Sequence, residues 1–333
     1  SSFIICQDVF PKFYKFNKMD FDSTATRGLA TNIVGDILPQ SDTLLWLGTG
    51  SGLAVLRDTS SIFTLATSKN LSQGAVTNTP EGAVSALDVS GNALFAAFAT
   101  SGENITKGNG LIYSDNSTGK TISWTYFDQL VDTEADSLTP FAKRFFRGLP
   151  VTVKEANVTY DAAINGSNIY ITSWAGGLRR YNILTKIWQR IPLPQDGDHI
   201  LNTCDESSYI STTSGSILRD FYLNPRDPED GGNHNHKAFS VISYADTVWV
   251  GTANGINRGL VGANGCINWK HYTPLNNGLS GGFVVDLALQ QYKKHNIIWA
   301  ATVLAETGES NGVSYSIDGG DTWNTTLIGE RAY

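Results

Sequence analysis

One hairpin pattern recurs along this chain and limits it to a small set of folds. Residues 45–53 read LWLGTGSGL and residues 248–256 read VWVGTANGI. Each copy is an apolar strand that carries Trp, followed by Gly-Thr, a two-residue turn and a Gly that opens a second apolar strand. Apolar residues flanking a glycine-containing turn indicate a β-hairpin. Weaker copies occur at 94–99 with 110–115, at 169–181, at 209–221, and at 297–303 with 312–320.

The spacing of these copies predicts a radial array of small sheets. The first apolar residue of each leading strand serves as a marker, and four of the five gaps between successive markers are 39 to 50 residues long. Propeller blades repeat about every 40–50 residues. The remaining gap of 75 residues indicates one blade with an insertion near residues 128–156, a short helix or a long loop. The markers are Leu45, Leu94, Ile169, Tyr209, Val248 and Ile298.

The tryptophans are placed as a propeller requires. Three of the eight fall on the second strand of a repeat and four fall where a fourth strand should begin, whereas Trp174 stands apart at the end of a second strand. Large flat rings at equivalent sites pack neighbouring blades face to face. We therefore predict an all-β propeller with six to seven four-stranded blades, in which the ring can be incomplete at the C-terminus.

The repeats also divide the chain. Residues 28–333 hold the predicted propeller, and residues 1–27 form an N-terminal segment. Its apolar stretches 2–6 and 10–17 are candidates for closing strands. Two arrangements stay open: the ring closes with these strands, or the chain is one module of a larger protein or assembly.

Charge and composition exclude two classes of partner. The formal net charge is −7 and the Lys and Arg residues form no basic run, whereas nucleic-acid binding needs clustered cations to neutralise phosphates. No apolar run approaches the roughly 18–20 residues that span a bilayer.

The low charged fraction of 17%, with many Ser, Thr, Asn and Gly residues, is typical of a secreted, periplasmic or cell-surface protein. Motifs for nucleotide or dinucleotide binding are absent, so no cofactor is predicted.

Three cysteines, Cys6, Cys204 and Cys266, fit neither a zinc pattern nor a redox CxxC motif. In an oxidising compartment we expect a disulfide between Cys204 and Cys266, because both fall near hairpin ends in successive repeats. Three buried free thiols are the alternative.

Two segments resemble known propeller families. WVGTANGINR (249–258) and HYTPLNNGLSGGFVVDLAL (271–289) resemble the two-component-regulator propeller repeat of extracytoplasmic sensor domains and of secreted proteins of Bacteroidetes. Ser316–Trp323 is similar to the Asp-box of sialidase-like propellers, S-x-D-x-G-x-T-W. The resemblance implies a structural role for this box, in which Asp318 bonds turn amides and Trp323 packs between strands. Its motif residues here are Ser316, Asp318, Gly320 and Trp323.

The loop at residues 224–237 is the most unusual local segment, with His234 and His236 among glycines and prolines. An H-x-H pair on an extended segment points both rings to one side. With Asp230, or with Asp227, the two histidines are candidate metal ligands. The alternative is a loop whose side chains bond turn backbone.

Ligand contact is expected at an axial end of the propeller, where the long loops are 100–110, 128–156 and 224–237. The candidates within them are Phe141, Arg144, His234 and His236.

Only one tripeptide, Arg190-Ile191-Pro192, is similar to a catalytic signature, part of the FRIP motif of sialidases, and here Gln189 precedes it. The sequence therefore favours a non-catalytic extracellular propeller, a binding or structural module with a protein or glycan partner. The alternatives are a periplasmic sensory propeller, a sialidase-like or glycosidase-like hydrolase, and a subunit of an extracellular filament or assembly.

Overall fold

The chain folds into β-sheets arranged as a propeller, so the predicted fold class is confirmed. The computed structural model describes residues 25–57, 61–65, 79–102, 105–119 and 122–332. Six sheets lie within these residues, four with four strands and two with five. The N-terminal stretches 2–6 and 10–17 and Cys6 lie outside the described residues, so a closing role for them stays a prediction.

Five sheets are blades built mainly from consecutive strands. The first blade holds β1 (Ala25–Arg27), β2 (Val34–Ser41), β3 (Leu44–Thr49), β4 (Gly52–Arg57) and β5 (Ser61–Leu65). The second holds β6 (Ala83–Ser90), β7 (Ala93–Ser101), β8 (Thr106–Ser114) and β9 (Thr125–Phe127). The prediction of a long loop at 100–110 is wrong. Strand β7 continues to Ser101 and β8 begins at Thr106, so most of this range is strand.

A composite sheet replaces the expected loop insertion and one expected blade. It joins β10 (Leu138–Phe141) and β11 (Arg144–Gly148) to β17 (Tyr209–Thr212) and β18 (Gly215–Leu223). Strand β11 pairs with β18 in parallel. The Tyr209 hairpin therefore has no blade of its own, and the insertion at 128–156 contributes a hairpin.

Three more blades complete the described fold. The third holds β12 (Thr159–Asn165), β13 (Asn168–Ser173), β14 (Gly177–Asn182) and β15 (Ile187–Ile191). The fourth holds β16 (Ile200–Asn202), β19 (Ala238–Tyr244), β20 (Thr247–Thr252), β21 (Gly255–Val261) and β22 (Ile267–Tyr272). The one-turn helix α1 (Pro274–Asn277) leads to the fifth, with β23 (Phe283–Tyr292), β24 (His295–Val303), β25 (Gly312–Ser316) and β26 (Asn324–Thr326).

The innermost strands β2, β6, β12, β19 and β23 contact one another in chain order. Each of the five has a register shift against its partner near its beginning, where one extra residue bulges. A bulge bends a strand and increases its twist. The composite sheet shares a core with the third and fourth blades, which includes Phe146, Leu178 and Trp269.

The Gly-Thr pair of the repeated hairpin has a packing reason. A Cβ added at Gly48 would lie 3.0 Å from a Val84 methyl carbon, and one added at Gly251 would lie 2.6 Å from a Val284 methyl carbon. Both valines belong to the inner strand of the following blade. Glycine therefore permits the close approach of successive blades.

The threonine of the same pair closes the next turn of the chain. Thr49 donates its hydroxyl to the carbonyl oxygen of Gly52 at 2.7 Å, and Thr252 does the same to Gly255 at 3.0 Å. Gly52 and Gly255 have φ values of 101° and 94°, a region that side-chain-bearing residues rarely adopt. The repeated sequence letters thus encode one turn geometry.

Carboxylates also fasten blades together. Asp88 of the second blade accepts the Ile164 amide of the third at 2.5 Å, and Asp161 of the third accepts the Val241 amide of the fourth at 2.7 Å. Burial raises the pKa of Asp88 to about 6 and raises that of Asp161 well above its usual value. The backbone amides that donate to these carboxylates oppose the shift.

Two sequence features named above lie in ordered local structures. Cys204 and Cys266 form a disulfide that joins the segment after β16 to the start of β22. In the turn after β25, Asp318 accepts hydrogen bonds from the Thr322 amide and hydroxyl at 2.9 and 2.6 Å. These bonds lower the pKa of Asp318 to about 2, and the Trp323 ring packs edge-on against Trp249.

Substitution of Gly251 by Ala tests the close packing around this glycine, where an added Cβ would lie 2.3 Å from Ser240 Oγ of the same blade and 2.6 Å from the Val284 methyl carbon of the fifth blade. We expect Gly251→Ala to lower the free energy of unfolding by about 1–3 kcal/mol, the usual cost of overpacking a core, measured by urea denaturation. Gly197→Ala is the matched control, because a Cβ there meets no atom within 4 Å. Equal stability of the two variants would contradict the packing role.

Candidate functional site

A cleft of about 910 Å³ opens on one axial face, over the third, fourth and fifth blades. Turns between second and third strands and connections into inner strands share this face, because antiparallel strands reverse direction at each turn. We call it the axial cleft. Its lining residues are Trp174, Asp196, Asp227, Pro228, His234, Lys237, Ala253, Asn254, Thr273, Pro274, Leu275, Asn276, Phe283, Leu304, Ala305, Glu306 and Glu309.

Trp174 gives the cleft its largest exposed aromatic surface. It occupies the turn between β13 and β14 and keeps 41% of its surface exposed. The ring packs edge-on against Phe239, with 5.6 Å between the ring centroids, and Phe239 in turn lies 4.4 Å from Phe283. The Trp174 ring thus rests against Phe239 and keeps part of its surface exposed to the cleft.

Asp196 organises the loop at 224–237. Its carboxylate accepts the backbone amides of His234 and Asn235 at 2.8 and 2.7 Å, and the side-chain amide of Asn254 at 3.0 Å. Asn235 is fully buried and donates to the Pro194 carbonyl oxygen. One wall of the cleft is therefore rigid, since its backbone is tied to a carboxylate and a buried amide.

On the opposite wall of the cleft, the carboxylate of Glu309 likewise binds backbone amides. One of its carboxylate oxygens accepts the amides of Gly282, Ala305 and Glu306 at 2.8, 2.7 and 3.3 Å. The carboxylate thereby holds together the loop between β24 and β25. Glu306 lies in the same loop, three residues before Glu309. Its exposed carboxylate has no hydrogen bond or ion pair to another residue that the structure describes.

Among the described residues that line the cleft, Lys237 is the only Lys or Arg, and it is already paired. Its ammonium lies 2.6 Å from an Asp227 carboxylate oxygen and 3.0 Å from Nδ1 of His234. It also lies 5.1 Å from the centre of the Trp174 ring. Three carboxylates of the cleft thus have partners within the chain: Asp196 and Glu309 bind backbone amides, and Asp227 binds Lys237.

The candidate metal ligands Asp230, His234 and His236 are not brought together, so this hypothesis is wrong. The histidines lie in a single turn of 3₁₀ helix rather than an extended segment, so their rings diverge. His236 is fully buried, with Nδ1 accepting the Asn224 amide at 2.9 Å and Nε2 donating to the Leu193 carbonyl oxygen at 3.0 Å. Among the described residues, no group of three His, Cys, Asp or Glu side chains could hold a metal ion.

Two other candidates for ligand contact lie elsewhere. Phe141 is buried in the core that the composite sheet shares with its neighbours, and packs against Phe146. Arg144 pairs with Glu206 and lies 4.2 Å above the ring of Tyr209. Neither residue lines the axial cleft, because the segment that carries them folds into strands of the composite sheet. The burial of Phe141 leaves it little surface for a ligand, and ligand contact at Arg144 stays a prediction. Of the four candidates, His234 alone lines the cleft.

Arg190, the first residue of the tripeptide that is similar to the sialidase FRIP motif, also binds groups within the chain. It is buried and donates to Asp132 at 3.1 Å and to the Leu149 carbonyl oxygen at 2.8 Å. Asp132 also binds Arg179 at 2.7 Å. Burial and the neighbouring Arg179 lower the pKa of Arg190 to about 10. The ion pairs of Asp132 with Arg179 and Arg190 therefore hold the insertion against the third blade.

Sequence reasoning missed Trp174, Asp196 and Glu309. A signal existed for Trp174, the one tryptophan outside the repeat pattern, because an aromatic ring in a turn has no place in the blade core. No signal distinguished Asp196 or Glu309 from the other acidic residues, since their partners are backbone amides of distant segments.

No protein-family model matches the chain, and neither does any curated protein sequence. Several solved structures are similar in fold. The extracellular domain of a hybrid two-component system from B. thetaiotaomicron is 14% identical, covering 94% of this chain and 30% of that chain at a TM-score of 0.45. An auxiliary nutrient binding protein from Bacteroides ovatus is 10% identical (93% and 62%, TM-score 0.45).

An ancestral GH74 enzyme is 12% identical, covering 89% of this chain and 33% of that chain at a TM-score of 0.45. The chain thus spans less than two thirds of the length of each of these proteins. These three structures are an extracellular domain of a two-component system, a nutrient binding protein and an enzyme. Similarity this distant carries no argument about what this chain binds.

The described residues contain no helix with the length and apolar character that crossing a bilayer requires.

The buried imidazole of His236 makes a prediction about pH. Burial lowers its pKa from 6.5 to about 4, so the folded chain holds it neutral while the unfolded chain protonates it near 6.5. Its contribution to stability is complete above pH 6.5 and is lost as the pH falls towards 4, by on the order of 3 kcal/mol.

NMR titration of the His236 ring nitrogens isolates this effect from the opposite effect of Asp88, whose raised pKa favours the folded state at lower pH. We expect a midpoint near 4 in the folded chain and near 6.5 in the chain unfolded in urea. A folded-state midpoint near 6.5 would show that the ring is not locked between Asn224 and Leu193.

Proposed function

We propose that this chain is a non-catalytic binding module of an extracytoplasmic protein and that it binds its ligand in the axial cleft. The observation that carries the proposal is the partly exposed Trp174 ring, which rests against Phe239 in a cleft whose two walls are made rigid by Asp196 and Glu309. Binding clefts combine an apolar surface with a few fixed polar groups. Rigid walls favour binding because less conformational entropy is lost.

The absence of catalysis is part of the proposal and rests on the commitments of the carboxylates. Glycoside hydrolysis needs two carboxyl groups on either side of the scissile bond. In the cleft, Asp196 and Glu309 accept backbone amides and Asp227 binds Lys237, which leaves Glu306 available. The buried Arg190 binds Asp132 and the Leu149 carbonyl oxygen of the insertion, which disfavours a sialidase-like role.

The extracytoplasmic location is supported by the disulfide between Cys204 and Cys266, since disulfides persist in oxidising compartments. A sensory propeller of a signalling protein and a subunit of an extracellular assembly are both compatible with a binding cleft. The two differ in the consequence of binding, a signal or an assembly, and share the position of the ligand.

Substitution of Trp174 tests the proposed site. A glycan array and a display library of random short peptides are probed with the wild type, Trp174→Ala and Trp299→Ala. We expect ligands of the wild type to bind Trp174→Ala at least about 10-fold more weakly, because buried tryptophans dominate interfaces. Trp299→Ala is the matched control, a half-buried tryptophan on the fifth blade that does not line the cleft.

Ligands that bind Trp174→Ala as well as the wild type would place binding elsewhere. The absence of any ligand from both collections would contradict the proposed function. A hydrolase would appear as turnover of a bound oligosaccharide that Glu306→Gln abolishes while binding persists.

A further inference from the structure

Three large apolar residues on the walls of the axial cleft face solvent. Leu275 is 92% exposed, Leu304 is 50% exposed and Trp174 is 41% exposed. Exposed leucines scattered singly over a surface are ordinary. Three apolar side chains around one cleft are an unpartnered surface of the kind that marks an interaction site.

Both leucines are presented by segments that the fold holds in place. Leu275 sits on α1, where the Thr273 hydroxyl accepts the Asn276 amide and Gly278 ends the turn with a φ of 75°. The Leu304 amide donates to the Asn311 side chain at 3.1 Å. The exposure of these leucines is therefore built into rigid turns, and not the result of a loose loop.

Negative charge predominates around this apolar surface. Four carboxylates line the cleft, Asp196, Asp227, Glu306 and Glu309, against the single ammonium of Lys237. Lys237 is buried, so it presents little charge to a ligand. In the same turn the exposed Arg226 precedes Asp227, and the exposed Glu229 and Asp230 follow it, so the turn is acidic on balance. An approaching ligand thus meets apolar side chains inside an acidic rim.

We infer that the axial cleft takes a segment of a partner protein in which an aromatic or aliphatic residue is flanked by Lys or Arg. This inference rests on the proposed function. A neutral sugar ring would use Trp174 and leave Leu275, Leu304 and the acidic rim without partners. A basic and apolar peptide uses all of them: its apolar side chain is desolvated among the three apolar residues, and its cations face Glu306 and the turn at Asp227.

Peptide selection tests the class of ligand. A display library of random short peptides is selected on the wild-type chain after depletion on Trp174→Ala, so that the recovered peptides are those that need the cleft. We expect them to carry Trp, Phe, Leu or Ile beside Lys or Arg. Recovery of acidic or uncharged peptides would overturn the inference, and so would the absence of peptides that depend on Trp174.

Two variants measure the apolar and the electrostatic contributions to a recovered peptide. We expect Leu275→Ser and Glu306→Lys each to weaken binding roughly 10-fold at low salt, and Glu306→Lys to reduce the dependence on salt. The controls are Leu184→Ser, at a leucine 79% exposed in the turn after β14, and Asp42→Lys, at an exposed carboxylate in the turn after β2. Both turns join strands on the face opposite the cleft. Equal effects of variants and controls would overturn the inference.

Failure of the inference and failure of the proposed function give different results. Oligosaccharides that bind through Trp174, without basic peptides, would overturn the inference and leave the binding module standing. If neither class binds through Trp174, both fail.

Discussion

The close approach of one blade to the next is the constraint on which the rest of this structure depends. Each sheet is too small to bury its own side chains, so its faces must be covered by its neighbours. The second strands permit this at Gly48 and Gly251, each of which admits a valine from the inner strand of the following blade. Asp88 and Asp161 then bind the amides of the next inner strand, which supplies partners for backbone groups near the axis.

The axial cleft is a consequence of that arrangement. Antiparallel strands deliver alternate turns to the same face, so side chains that are far apart in sequence meet there. The blades then serve as a stiff base, and Asp196 and Glu309 tie the longer connections to it. Binding surfaces on loops supported by a rigid scaffold are common for this reason.

Much of the fold could be predicted because its signals are local. The alternation of apolar residues, the Gly-Thr turn and the spacing of tryptophans each operate within one hairpin. The composite sheet could not be predicted in this way, since β11 and β18 pair across a gap that contains the whole third blade. In the candidate site, His234 was found and Trp174 stood out, but His236 was misjudged because a helical turn replaced the extended segment.

By itself, the sequence determined the propeller class, the hairpins and the positions of their turns, since these arise from the local periodicity of side chains and the conformational freedom of glycine. Only the tertiary structure decided which hairpins became blades, which acidic residues bound backbone and which stayed free, and which apolar residues found no partner. These outcomes depend on contacts between segments distant along the chain, and a single sequence does not record such contacts in any local pattern.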